Sequence, residues 1–257
     1  MLELLPGIPA FLLIFIRVTS FFLVVPLYSY RTIPTIHKVG FSGFLTLIMY
    51  FSVDKQLPVI EEHFFLLLIK ELMFGLLLGL VAYIILAAIQ IAGGFIDFQM
   101  GFAIANVMDP QTGAQSPLMG QYFYTITLLF LLAVDGHHLL LDAIFYSYEF
   151  VPLAQETLPL GKSELALFIT KSFALMFLIA FQMSLPVVAC LFLVDVALGI
   201  TARTVPQLNV FVVGLPLKIG VSFIFIILTF GGLMLVVSSL FEQMFRTMRG
   251  LMELLMI

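Results

Sequence analysis

Tryptophan is missing altogether, cysteine occurs once, and charged residues fill only 10% of the 257 positions. Each shortage excludes something. With a single thiol, Cys190, the chain has no internal disulfide and no cysteine-rich metal site. Lys and Arg number 11 against 15 Asp and Glu and form no basic run, which excludes a nucleic-acid binder built on clustered cations. No Lys or Arg stands between Lys70 and Lys162. Trp commonly anchors spanning helices at the lipid interface, so its absence argues against a simple lipid-facing bundle. The N-terminal segment has no basic lead-in, carries Glu3 and holds Arg17 within its apolar run. It is expected to stay in the mature protein rather than act as a signal peptide. No phosphate loop, dinucleotide fingerprint or nucleophile elbow appears, so an enzyme is not expected.

What is present is mostly apolar. Hydrophobic residues make up 62% of the chain, Phe and Met alone contribute 28 and 13, and the mean hydropathy is +1.19. A soluble domain is about 45–50% apolar and about 25% charged. The excess exceeds what one soluble core can hide, so the chain reads as an all-α polytopic membrane protein. Six apolar stretches can be drawn, at about 8–28, 39–53, 64–92, 121–145, 165–200 and 209–240. The apolar runs are continuous rather than alternating, which disfavours strands. A single crossing takes about 20 residues. The second stretch is short, and the third, fifth and sixth are long. Pro186 and Pro216 interrupt the last two, so these are expected to form helical hairpins or kinked helices.

The basic residues do not set an orientation. If all six stretches cross, Lys55, Lys162, Arg246 and Arg249 fall on one side and Arg31, Lys38 and Arg203 on the other. Arg17, Lys70, Lys171 and Lys218 lie inside the apolar stretches, where a charge costs at least about 2.5 kcal/mol unless protein or water faces it. Arg17 and the lone acid Asp195 are candidates for a buried pair between the first and fifth stretches, within the chain or across subunits. An ion path, or snorkelling of the long side chain, are the other readings.

Three local patterns carry possible roles. "GLLLG" puts Gly75 and Gly79 four residues apart, a spacing that lets helix backbones pack closely. "DGHHLLLD" would put Asp135, His138 and Asp142 on one helical face, while the adjacent His137 and His138 should point about 100° apart. Polar pairing with neighbouring helices is preferred there over a metal site. "RTIP" at 31–34 and "RTVP" at 203–206 echo each other, either as a repeat or as two Pro-broken loop-to-helix junctions.

The most unusual stretch is "NVMDPQTGAQSPLMGQ", residues 106–121, which is small and polar with Asp109 as its one charge. "DPQTG" favours a turn through Asp-Pro and Gly, and Met100, Phe102, Met108 and Met119 bracket that turn with bulky, adaptable apolar groups. A surface connector is one reading. A constriction in a pore is the other.

Four segments in order resemble the FliR family of type III secretion export-gate proteins. They are "RVTSFFLVVPLYSYRTIPTIHKVG" at 17–40, "GFIDFQMGFAIANVMDPQTGAQSP" at 94–117, "DGHH" at 135–138 and "LPVVACLFLVDVALGITARTVPQLNVFVVGLPLKIGVS" at 185–222. The resemblance implies kinked helical hairpins assembling into a wound export-gate complex with FliP, FliQ and FlhB. It implies a FliP-like part over about 1–164 and a FliQ-like part over about 165–257. The location implied is the bacterial cytoplasmic membrane at the flagellar basal body, with unfolded flagellar export substrates as cargo and no cofactor. It also implies a plug loop shaped by Asn106, Asp109, Pro110, Gln111, Gly113 and Pro117. The apolar seal is assigned to Met100, Phe102, Met108 and Met119, and assembly to Arg17, Asp195 and Arg203. A self-contained multi-pass transporter for a small solute is the alternative.

Overall fold

A computed structural model describes residues 7–30, 32–53, 60–102, 117–161, 163–207 and 209–256. Asn106, Met108, Asp109, Pro110, Gln111 and Gly113 lie outside them. Among the described residues the secondary structure is helical, with no strand. The helices are α1 (Gly7–Val24), α2 (Thr35–Ser52), α3 (Ile60–Met100), α4 (Leu118–Ala133), α5 (Gly136–Phe150), α6 (Ser163–Thr204) and α7 (Val210–Leu255). Four of these, α1, α3, α6 and α7, are long and apolar enough to cross a membrane, and the bent pair α4–α5 makes a fifth if counted as one span.

Each long stretch runs as one helix, so of the two expected forms, hairpin or kinked helix, none turns back within its own stretch. Among the described residues, α3, α6 and α7 are single helices of 41, 42 and 46 residues. Pro186 and Pro216 sit inside α6 and α7 rather than ending them. A proline removes one N–H donor and crowds the carbonyl four residues earlier, but a membrane-type helix tolerates this where neighbours re-satisfy the freed groups. The sharp break falls instead in the fourth stretch. Asp135 adopts a left-handed backbone (φ 57°), and α4 and α5 meet there at 74°.

The residues group into two compact units: 1–85, 132–173 and 242–257 form the first, and 86–131 with 174–241 form the second. In the first unit, α1 buries Ala10, Leu13, Ile14, Arg17, Val18, Phe21 and Phe22, an i, i+3, i+4 stripe. It packs on α2, which buries Ser42, Leu45, Thr46 and Met49. The α2 hydroxyls are spent within the helix, Ser42 donating to Lys38 O (2.8 Å) and Thr46 to Ser42 O (2.7 Å), so they can be buried at little cost. Phe22, Tyr28 and Phe41 close the α1–α2 turn with ring centroids 4.7–5.9 Å apart. The end of α7 adds Met244, Met248, Leu251, Met252 and Leu255 to this unit's core, and Gln155 Nε2 donates to Leu255 O (3.0 Å), capping the helix.

In the second unit, α3 buries Leu86, Ala88, Ile89, Ala92, Ile96 and Met100. A helix this apolar on every side is one that is surrounded. The apolar 18-residue segments of α6 and α7 are different: only 28% and 17% of their residues are buried, against 61% for that of α3. Phe192, Leu193, Phe211, Ile227, Leu228 and Leu235 are all exposed. Apolar faces of this extent require lipid or another protein.

Candidate functional site

In the first unit, Arg17 of α1 is completely buried, as is Glu71 of α3, and Lys70 is 4% exposed. Arg17 and Glu71 pair in a two-pronged contact: Arg17 Nε meets Glu71 Oε2, and Nη2 donates to Oε1 at 3.0 Å. Arg17 Nη1 donates to Ser147 Oγ (3.1 Å) and Nη2 to Val151 O (2.8 Å). Its guanidinium lies 4.6 Å from the Phe74 ring centre and 3.9 Å from that of Tyr148, within cation–π range. Lys70 Nζ is 2.6 Å from Glu71 Oε1 and donates to Pro152 O (3.1 Å) and Leu153 O (3.4 Å).

Two cations and one carboxylate thus share a dry site. The balance comes from carbonyls just beyond the C-terminus of α5, where the helix dipole is negative. The cluster ties α1, α3 and the end of α5 together. Gly75 and Gly79 make the approach possible. A Cβ on Gly75 would collide with Ser20 Oγ and the Arg17 carbonyl, and one on Gly79 would lie 3.0 Å from Phe21 O.

Arg17 and Asp195, candidates for one buried pair, each take a different partner within their own unit. In the second unit, Asp195 of α6 receives Lys218 Nζ from α7 (2.8 Å to Oδ1, 3.0 Å to Oδ2) and Gln99 Nε2 from α3 (2.8 Å to Oδ2). The Asp195 side chain is 40% exposed and that of Lys218 18%, so this group opens onto the uncovered α6–α7 face. Arg203 is exposed in the last turn of α6, where a cation suits the helix dipole.

The described roots of the polar stretch also lie in the second unit. Met100 is fully buried, while Phe102 and Met119 are half-buried. Gly101, between the first two, has φ +92°, a conformation that suits glycine. Pro117 packs beside Gly94, a Cβ on which would lie 3.3 Å from Pro117 Cγ. A Cβ on Gly93 would collide with the Gly120 backbone, so α3 and α4 touch main chain to main chain at this point.

At the α4–α5 break the histidines differ from the sequence expectation. Their rings stand 4.0 Å apart, and ligand atoms of Asp135, His137 and His138 all fall within 4.8 Å of one another. His137 and His138 are the second and third residues of α5, and their rings approach each other although their positions on the helix are adjacent. The side chains of Asp135 and His138 are 80% and 65% exposed, however, and His138 Nδ1 lies 3.7 Å from Asp135 Oδ1, beyond hydrogen-bond distance. Asp142 stands apart from them, lining an open cleft with Tyr146 and Glu149.

Sequence reasoning left Glu71 and Asp97 without roles. The signal for Glu71 was available: a carboxylate inside an apolar run, well away from both ends of its helix, must meet a cation.

Comparison with known proteins follows the same lines. The chain is 58% identical over 247 residues to the flagellar biosynthetic protein FliR of Bacillus subtilis (strain 168), covering 96% of this chain and 95% of that one. It is 29% identical over 208 residues to FliR of Escherichia coli (strain K12), covering 80% and 78% of the two chains. It is 31% identical over 217 residues to the Yop proteins translocation protein T of Yersinia pestis, covering 82% of each. With its residues 8–244 matching that family, the chain belongs to the bacterial export proteins, family 1.

Proposed function

We propose that this chain is a core subunit of the flagellar type III secretion export gate, lining and plugging the channel through which unfolded flagellar proteins leave the cell. The observation that carries the reading is the family match, which runs through nearly the whole chain. The physical features support it. A helix rises about 1.5 Å per residue. On that scale α3 and α7, at 41 and 46 residues, run to about twice the ~30 Å hydrocarbon thickness. Helices of that length with uncovered apolar faces suit an assembly better than a free-standing bundle.

The partners in this reading are FliP, FliQ and FlhB, and the site is the cytoplasmic membrane at the flagellar basal body. Residues up to about 164 correspond to a FliP-like part and the remainder to a FliQ-like part. Asn106, Asp109, Pro110, Gln111, Gly113 and Pro117 shape the plug, with Met100, Phe102, Met108 and Met119 as its apolar seal. Near-neutral polar composition fits a plug that must block the pore without holding its cargo. Arg17 braces the fold from inside, while Asp195 and Arg203 meet neighbouring subunits. The chain is a structural component of secretion, and energy enters elsewhere. A self-contained transporter for a small solute is not favoured, given the family.

Deleting the gene should abolish release of flagellar export substrates into the medium, and a plasmid copy should restore it. Undiminished export from the deletion strain would reject the assignment.

A further inference from the structure

Asp97 lies in the apolar second half of α3 and is 3% exposed. A carboxylate there is costly unless it has a task. Its Oδ2 accepts the Met119 N–H at 2.9 Å, and the Gly120 N–H also faces the carboxylate. Met119 and Gly120 are the second and third residues of α4, whose amides have no partner within their own helix. Such amides are normally satisfied by a Ser, Thr, Asp or Asn side chain at the position before the helix. Here that position is Pro117, whose carbonyl accepts Gln121 N–H at 2.8 Å but whose side chain has no acceptor. The missing oxygen comes from a different helix.

The surroundings are shaped for this. Gly93 and Gly120 bring the two backbones into contact, and a Cβ on Gly120 would lie 2.8 Å from Gln90 O. Asp97 Oδ1 is buried with no hydrogen-bond partner, so the carboxylate is held by its second oxygen alone.

We propose that Asp97 is a positioning residue for the plug: it caps α4 in trans and fixes the point, Pro117 to Gly120, at which the plug segment joins the fold. This rests on the plug reading above. In consequence the two roots of the segment are unequal. The side at Pro117 is held by the Asp97 cap and a backbone contact, whereas the side at Gly101 has a glycine with φ +92°.

The test uses the full chain co-purified with its partner subunits. Asp97→Ala should speed hydrogen exchange of the Met119 and Gly120 amides about 10-fold, the effect expected of a lost helix cap. It should also raise ion leakage in cells. Asp97→Asn keeps one acceptor oxygen and should fall between. Asp97→Ala combined with Pro117→Asp supplies an oxygen from the N-cap itself and should return exchange of the two amides toward the parent. That rescue also separates a lost cap from a misfolded chain. Unchanged exchange in Asp97→Ala would overturn the cap. Faster exchange without leakage, in cells where deletion of residues 110–116 does leak, would overturn the positioning role. If neither variant leaks, the plug reading itself fails, and the exchange result still decides the cap.

Discussion

Replacing Glu71 with alanine should be the most damaging single change in the first unit. Glu71 is fully buried and is the only carboxylate facing Arg17 and Lys70 among the described residues. Its removal changes the site from net +1 to net +2. Arg17 keeps Ser147, the Val151 carbonyl and the two rings, while Lys70 keeps only backbone carbonyls. Breaking a buried pair by deleting one partner costs about 3–5 kcal/mol. That is about two to nearly four powers of ten in a folding equilibrium, against total stabilities of about 5–15 kcal/mol. The measurement is thermal unfolding and recovery of the detergent-extracted complex. Glu71→Ala should be recovered poorly or melt well below the parent, and Glu71→Gln should fall between. Glu253→Ala is the control: its pair with Arg249 is exposed, with side chains 53% and 73% accessible, and its loss should be silent. Equal melting of Glu71→Ala and Glu253→Ala would refute the argument that a buried charge cluster holds this unit.

Three other outcomes follow from the packing and the site. Gly75→Leu should reduce recovery sharply because its side chain meets the α1 backbone, whereas Gly220→Ala, with nothing within 4 Å, should be tolerated; equal recovery of the two would remove the close-packing role. Asp195→Ala leaves Lys218 unpaired on an apolar face and should cut co-recovery with FliP and FliQ, and Asp195→Ala with Lys218→Met should regain part of it. Normal recovery of the single variant would dismiss the assembly role. Deleting residues 110–116 should leave assembly intact and raise leakage of ions or small molecules; conductance no higher than the parent's would end the plug reading.

Much of this was legible in the sequence because the bilayer leaves few options. Continuous apolar runs declared helices, and lone charges such as Arg17 and Asp195 declared a need for partners. Which partner each would take was not legible. Pairing depends on helix rotation and depth, and the nearest opposite charge in space to Arg17 is 54 residues away in sequence. Glu71 was overlooked because it follows Lys70 directly, and neighbours on a helix point apart, so the two look like unrelated interruptions. Proline at 186 and 216 was read as a kink or an end, and it ends neither helix. The Asp-Gly dipeptide at 135–136 was given too little weight, although it is a turn signal and marks the real break. Asp97 was invisible as a cap because the rule for caps looks to the residue before the helix, and there the chain has a proline.

The most direct test of the central claim is mass measurement of the chain isolated in mild detergent with its native companions. As an export-gate subunit it should be recovered in one complex with FliP and FliQ, and it should aggregate when produced alone, since the apolar faces of α6 and α7 are largely uncovered. A stable, monodisperse chain of 28.7 kDa with neither companion would contradict the account.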